Sequence, residues 1–549
     1  MLRRCMAALM ATAVFALPSA AEPLLERDAG RLFLVSPAAD ADWEYWVREA
    51  RVGGFVLVHG VHFSTPEELA QRCRIIRALA DDDVSPPLVF ARHEGGAFAA
   101  LPSMLGATPD PGPLALAAAG IPAAAREAYG SAARDLRACG VDGVVGPRAG
   151  LYPPPLPPEL QVRTFGAAPA LAAALVSAAA DGIREGGLLA CMQGFPGGVM
   201  PLSGARETPL WNLTGPSRED VLAPFQALAA ADTDMILVDH VRVPAWDDRN
   251  AAPISPAIVQ GLLRDRLEFR GLIVASDMTL PAATERYPAE RMAAMAIAAG
   301  CDLLRIDHAQ RSDFEVRRDG ILKFAGQPTL PEPRAVDAIA RVQTRMQQAA
   351  QRRESIPAPG DIYAQLGRGG KPKAGLGVVL VRNAAAALPI SAQQQDLLVV
   401  CPESAVELPH REHVEIGTTL GAKVRARVPG AREERYSLNP APWEVRDILQ
   451  AARSAKLIVL GVLFTQSFER QAPLAEALLA LGKPTIIIGL GDPSDLEPFA
   501  RADTLLLAGG FGEANLEAAA AVLFGEAKAS GKLPLPIGEL YPAGHKAAE

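Results

Sequence analysis

From about Gly30 to Asp307, short apolar runs alternate with amphipathic stretches of helical period, and this alternation constrains the fold more than any other feature of the chain. The runs are Gly54 to Val58, Leu88 to Ala91, Val141 to Val145, Leu188 to Cys191, Met235 to Val238, Leu272 to Ala275 and Leu303 to Ile306. They are apolar at nearly every position rather than at every second residue, so both faces of each strand must be covered, as in a parallel sheet flanked by helices. Helices are expected over Ser217 to Leu228, Ser255 to Arg266 and Ala289 to Ala298. Thr65-Pro66-Glu67-Glu68 reads as a capping box with proline at the first helical position. The spacing suits a (β/α) barrel.

Polar residues follow the strands directly: His59, Arg92-His93-Glu94, Gln193, Asp239-His240, Asp277 and Asp307-His308. The C-terminal rim of such a barrel is where reactive side chains collect. Asp277 stands out. It ends Gly271-Leu-Ile-Val-Ala-Ser-Asp277, a buried strand that presents a single carboxylate. An isolated Ser-Asp of this kind more often caps a helix or ties down a loop, and each histidine in the ring alone is more often a satisfied loop residue.

The 549 residues suffice for two domains, each with its own core. Met1 to Ala21 has Arg3 and Arg4, an apolar stretch and Ser19-Ala20-Ala21, the pattern of a secretory signal, so the chain is expected in the periplasm or outside the cell. The barrel is assigned to residues 22–346, a linker to 347–374 and a smaller α/β sandwich to 375–549. Strands of this second domain are read at Leu376 to Val381, Leu397 to Cys401, Leu457 to Leu460, Thr485 to Gly489 and Thr504 to Leu507. Gly375-Leu-Gly377 and Gly489-Leu-Gly491 do not extend to a dinucleotide fingerprint and read as tight turns, while Pro153 to Pro158 reads as a rim loop. A net charge of −8 argues against nucleic acid as a partner, and no stretch after the signal is apolar for long enough to span a membrane. The cysteines at 73, 139, 191, 301 and 401 are odd in number and widely spaced, as buried thiols are. Neither a metal nor an organic cofactor is expected, because no spacing of ligand residues fits one.

Several segments in order resemble glycoside hydrolase family 3, closest to its bacterial β-N-acetylhexosaminidase branch. They are Gly53-Gly54-Phe-Val-Leu with Thr65-Pro-Glu-Glu-Leu, Glu94-Gly95-Gly96, Arg163-Thr164-Phe165-Gly166, Phe195-Pro196-Gly197, Asp239-His240-Val241, Ser276-Asp277 and Ala299-Gly300-Cys301-Asp302. In the second domain, Val381-Arg382-Asn383 and Leu523-Phe524-Gly525-Glu526 continue the likeness. The resemblance implies a TIM-type (β/α)8 barrel followed by an α/β sandwich. It also implies a retaining reaction with Asp277 as nucleophile, and Arg92, Glu94, Arg163, Gln193 and His240 binding a saccharide.

The chain departs from the family pattern at several points. Arg92 stands where the family carries a sugar-binding aspartate, Gln193 and Gly194 where it carries lysine and histidine, and Gly198 where it carries another histidine. Val199 to Trp211, the loop that holds the branch's His-Asp acid/base pair, contains no histidine. Glu207 is a substitute acid to consider, and Glu469 or Glu513 from the second domain are weaker ones. Two functions follow: an exported glycosidase of impaired activity on terminal β-linked sugars, for instance from cell-wall fragments, or a non-catalytic member that binds a saccharide or a protein. Arg92 further suggests an anionic ligand, such as a muramyl lactate or a uronate. The alternative is that it pairs with Glu94 or Asp277 and closes the pocket.

Overall fold

The computed structural model describes residues 24–80, 85–151, 156–198, 207–213, 217–353, 360–409 and 412–547. Met1 to Ala21, Pro153 to Pro155 and residues 199–206 of the loop Val199 to Trp211 lie outside them. Eight parallel strands close into a barrel. They are β1 Phe33–Pro37, β2 Gly54–Leu57, β3 Leu88–Arg92, β4 Gly143–Arg148, β5 Leu189–Phe195, β6 Met235–Val238, β7 Leu272–Ala275 and β8 Leu303–Ala309. The apolar run at Phe33–Pro37 was not singled out in the sequence; it closes the ring by pairing with β2 on one side and β8 on the other.

The strands are apolar on both faces because each face meets a different core. Leu34, Val56, Phe90, Val145, Cys191, Leu237 and Val274 form one cluster, joined by Val342, Met346 and Ala349 of the helix Glu332–Arg352. Their neighbours one residue along, among them Val35, Phe55, Val89, Val144, Ile236 and Ile273, belong to the cluster made with the surrounding helices. A strand's period of two thus sorts alternate residues into the barrel interior and the outer layer, and the last helix of the domain closes the interior from the base. Each such aliphatic side chain contributes about 1.5–3 kcal/mol when fully buried.

Thr65 caps the helix Pro66–Ala78 by accepting from the Glu68 N–H at 3.2 Å, while the Glu68 carboxylate accepts from the Ser64 N–H at 2.6 Å. The reciprocal bond therefore falls one residue earlier than in a standard capping box. Ser217 and Asp220 form the complete box at the start of Arg218–Ala230. At the barrel base Asp142, Asp234 and Asp302 each stand immediately before an even-numbered strand. Each accepts a backbone N–H from the preceding strand: Val89 at 2.9 Å, Ala190 at 3.2 Å and Ile273 at 2.9 Å.

The second domain is a six-stranded sheet whose strands, counted along the chain, lie side by side in the order third, second, fourth, fifth, sixth, first. Its strands are β9 Val379–Asn383, β10 Leu397–Pro402, β13 Arg432–Tyr436, β14 Leu457–Val462, β15 Thr485–Gly489 and β16 Thr504–Leu507, with only β9 antiparallel to its neighbour. Two further strands, β11 Ala405–Leu408 and β12 Glu412–Glu415, pair among the described residues only with each other. The polar strand β13 and this ribbon were not read from the sequence. The domains share apolar core: Leu114 and Val162 of the barrel cluster with Phe511 and Leu516 of the second domain. Phe98 meets Phe511 edge to face at 5.8 Å, and Asn515 donates to the Pro111 carbonyl at 2.9 Å. Among the described residues no helix is long and apolar enough to cross a membrane.

Candidate active site

Parallel closure carries the C-terminal ends of all eight strands to one rim. β3 ends at Arg92 and leads into Glu94, β4 ends at Arg148, β7 leads into Asp277, and β8 carries Arg305 and Asp307. Asp277 is nearly buried at 9% exposure. Its Oδ1 accepts three hydrogen bonds, from the Thr279 N–H at 2.9 Å, the Thr279 hydroxyl at 2.7 Å and the Asp307 N–H at 3.1 Å. Among the described residues none falls on Oδ2, so one oxygen is anchored and the other keeps its lone pairs. Burial pushes this carboxyl above the usual range and the Asp307 charge adds to that, against the bonds from Thr279 and the Asp307 N–H. Arg305 grips Asp307 with a two-pronged contact of 2.7 and 2.6 Å.

Glu94 lies buried between two guanidinium groups, Arg148 at 3.4 Å and Arg163 at 3.6 Å. Burial alone would raise its pKa, but Arg163, Arg148, Arg92 and Arg305 outweigh it and hold the carboxyl down to about 2. A carboxylate so held stays ionised and accepts hydrogen bonds; it does not donate a proton. Arg148 also reaches Asp239 at 3.3 Å. Arg163 stacks on the Phe98 ring with its guanidinium carbon 3.6 Å from the centroid.

His240 is buried with its Nε2 donating to the Ser276 carbonyl at 3.2 Å. Burial draws its pKa down to about 4 against that bond, so the ring is neutral and steadies the peptide just before Asp277. Gln193 is 2% exposed, and its Nε2 has no partner among the described residues, leaving an amide donor unspent. At Gly198, with φ of +88°, a Cβ would lie 2.0 Å from the Trp211 indole. Trp211 therefore packs into the space where a side chain would stand, which gives the glycine at this point a steric reason. Glu207 is exposed and makes no contact with Asp277 among the described residues.

The second domain does bring an acid to the rim, and it is Glu412 of β12. Arg92 donates to its Oε1 at 2.7 Å, and Arg163 donates to its Oε2. Arg92 thus pairs with neither Glu94 nor Asp277. Glu469 is exposed, and Glu513 is held elsewhere at the domain boundary by Ser103 at 2.6 Å and Lys423 at 2.7 Å. Sequence reasoning also passed over Arg148 and Arg305. A signal existed for Arg305: it stands inside the apolar run Leu303 to Ile306, and a charge in a strand covered on both faces has to be paired. The alternation in Ala405-Val-Glu-Leu408 and Glu412-His-Val-Glu-Ile416 marks a ribbon in the same way.

Chemically, the rim offers a carboxylate with one free oxygen, ionised acceptors, fixed guanidinium donors and a spare amide, which suits a ligand rich in hydroxyl groups. A beta-N-acetylglucosaminidase/beta-glucosidase of Cellulomonas fimi is 28% identical over 306 residues, 53% of this chain and 52% of that one, so the match spans about half of that relative. A beta-hexosaminidase of Nitrosomonas eutropha is 32% identical over 269 residues, 46% of this chain and 73% of its own. The solved beta-N-acetylglucosaminidase of Paenibacillus sp. superposes with a TM-score of 0.85 at 24% identity, covering 94% of this chain and 99% of that one, a likeness of fold. The models of the glycosyl hydrolase family 3 N terminal and C-terminal domains match residues 24–345 and 378–541. The chain belongs to glycosyl hydrolase family 3.

Proposed function

We propose that this protein is an exported glycosidase that acts on terminal β-linked sugars of the N-acetylhexosamine type, cell-wall saccharides among them, by a retaining route with impaired activity. The observation that carries this is the state of Asp277: Oδ1 anchored by three hydrogen bonds and Oδ2 unengaged among the described residues. In the first step Oδ2 attacks the anomeric carbon, the C1–O bond to the leaving group breaks, and a glycosyl ester forms. In the second, water attacks the same carbon and gives up a proton to solvent, the ester bond breaks, and the carboxylate is regenerated with net retention. Export rests on the composition of Met1 to Ala21 alone.

Impairment is the reading of the proton inventory. Glu94 is held ionised, His240 is buried and neutral, and Val199 to Trp211 holds no histidine. General-acid assistance is worth roughly 10²- to 10⁴-fold and matters where the leaving group is poor. The test is a pair of substrates, 2,4-dinitrophenyl N-acetyl-β-glucosaminide and N,N′-diacetylchitobiose. Slow dinitrophenolate release with an ester on Asp277 detected by mass spectrometry, the disaccharide staying intact, is expected, and Asp277→Asn removes both signals. Rapid cleavage of the disaccharide overturns the impairment and makes Glu207→Gln the next variant. Absence of reaction with the activated glycoside by a folded protein overturns the hydrolase reading in favour of a non-catalytic saccharide- or protein-binding member, to which the missing proton donor already points.

A further inference from the structure

We propose that Arg92 and Arg163 form a subsite for the carboxylate of an acidic saccharide, and that Glu412 of the second domain holds this subsite as an internal surrogate. One guanidinium group comes from the end of β3 and the other from the connection after β4, yet they converge on one carboxylate, each through Nη2 and each on a different oxygen. Two planar donors on one carboxylate is the arrangement by which arginine recognises acidic ligands. Arg163 is preorganised for it, 6% exposed and stacked on Phe98.

The charge balance points the same way. At the rim Arg305 is committed to Asp307, and Arg148 is shared by Asp239 and Glu94. Among the described residues Glu412 is the only carboxylate within ion-pair distance of Arg92. Loss of Glu412 from the contact therefore leaves uncompensated positive charge on Arg92 and on one edge of Arg163, and an incoming carboxylate restores the balance. The exchange is feasible on the Arg92 side, where the contact is partly open to water: Arg92 is 34% and Glu412 27% exposed, and solvent screens such a pair. Glu412 also sits on a ribbon of two four-residue strands that, among the described residues, pairs with no strand of the main sheet. Such a ribbon is marginally stable by itself.

The saccharide part of this inference rests on the proposed function, whereas the carboxylate part rests on the arginine pair alone. A matched ligand pair tests it: N-acetylglucosamine and its 3-O-lactyl ether, N-acetylmuramic acid, with glucose and glucuronic acid as a second pair, titrated calorimetrically into the wild type, Glu412→Gln and Arg92→Gln. The wild type is expected to bind the acidic member of a pair more tightly than the neutral one. Glu412→Gln should tighten the acidic ligand by about ten-fold, because the competitor is gone, and leave the neutral one unchanged. Arg92→Gln should erase the preference. Equal affinity for acidic and neutral ligands in the wild type and in Glu412→Gln, or weaker acid binding in Glu412→Gln, overturns the subsite. Run beside the dinitrophenyl glycoside test, the titration separates the two readings. Esterification of Asp277 by the dinitrophenyl glycoside without acid preference sinks the subsite and keeps the glycosidase; acid preference without esterification does the reverse.

Discussion

The two ends of the barrel use the same residue types to opposite ends. At the base, Asp302 is fully buried, with Arg334 and Arg341 on Oδ1 and Arg264 and the Ile273 N–H on Oδ2, so both oxygens are saturated. Asp142 is closed in the same fashion by Arg77, Arg353 and the Val89 N–H. At the mouth, Asp277 has one oxygen engaged, Gln193 has an unspent donor, and Arg92 reaches across to another domain for its partner. A buried charge is tolerated only when its partners saturate it. Base carboxylates meet that condition and hold strands to helices; the mouth leaves it unmet and keeps free valence for a ligand.

The sharpest way to break this contrast is Asp302→Ala. Three arginines lose their shared carboxylate, and a cost of about 3–5 kcal/mol in urea denaturation is expected. A loss no greater than that of Asp319→Ala, an exposed position, would end the distinction.

Next in size is the pH response, which should differ between domains. His240 is held below its ordinary value of 6.5, at about 4, so the unfolded chain binds more protons in that window. Its contribution to stability, about 3 kcal/mol from that difference, is complete above pH 6.5 and lost as pH falls toward 4. In the second domain, burial pushes Asp492 from 3.8 up to about 7 against hydrogen bonds from Ser494, with Glu159 adding to the rise. That contribution is complete below 3.8 and lost as pH rises through 7. Hydrogen exchange is expected to show peptides around His240 gaining protection, and those around Asp492 losing it, as pH rises from 4 to 6.5. Parallel trends in both would refute the assignment.

Gly198→Ala is a smaller perturbation. The new methyl meets the Trp211 indole at 2.0 Å on a backbone of φ +88°, for an expected loss of about 1–3 kcal/mol. A tryptophan emission shift should report that Trp211 has moved, and an unshifted spectrum would contradict the packing. The smallest stability effect belongs to Asp277→Asn, within about 1 kcal/mol of wild type, since burial and the Asp307 charge both oppose the ionised form. Its reaction with the dinitrophenyl glycoside should nonetheless vanish. A large destabilisation here would make Asp277 a base-type structural acid.

Glu412 and Asp302 show where legibility ends. Asp302 sits in Gly300-Cys301-Asp302-Leu303, and an aspartate directly before a buried strand recurs at Asp142 and Asp234, so the base device is written in local spacing although it was read only as a family block. Seven of the eight barrel strands, Asp277 at the end of β7 and the helix starts at Thr65 and Ser217 were legible for the same reason: periodicity and capping act within a few residues. The Arg92–Glu412 contact joins residues 320 apart. Neither residue carries a local mark of the other, and Glu469 and Glu513 were equally plausible on composition.

By itself, then, the sequence determined the alternation that forces a barrel, the family blocks and the identity of the one carboxylate that ends β7. Tertiary structure alone decided which arginines face which acids, why no side chain fits at Gly198, and which glutamate of the second domain closes on the rim. The physical reason is one of range. Hydrophobic periodicity is satisfied by any segment folding on itself, whereas the partner of a charge is settled only when closure of the barrel and docking of the second domain bring distant side chains within a few ångströms.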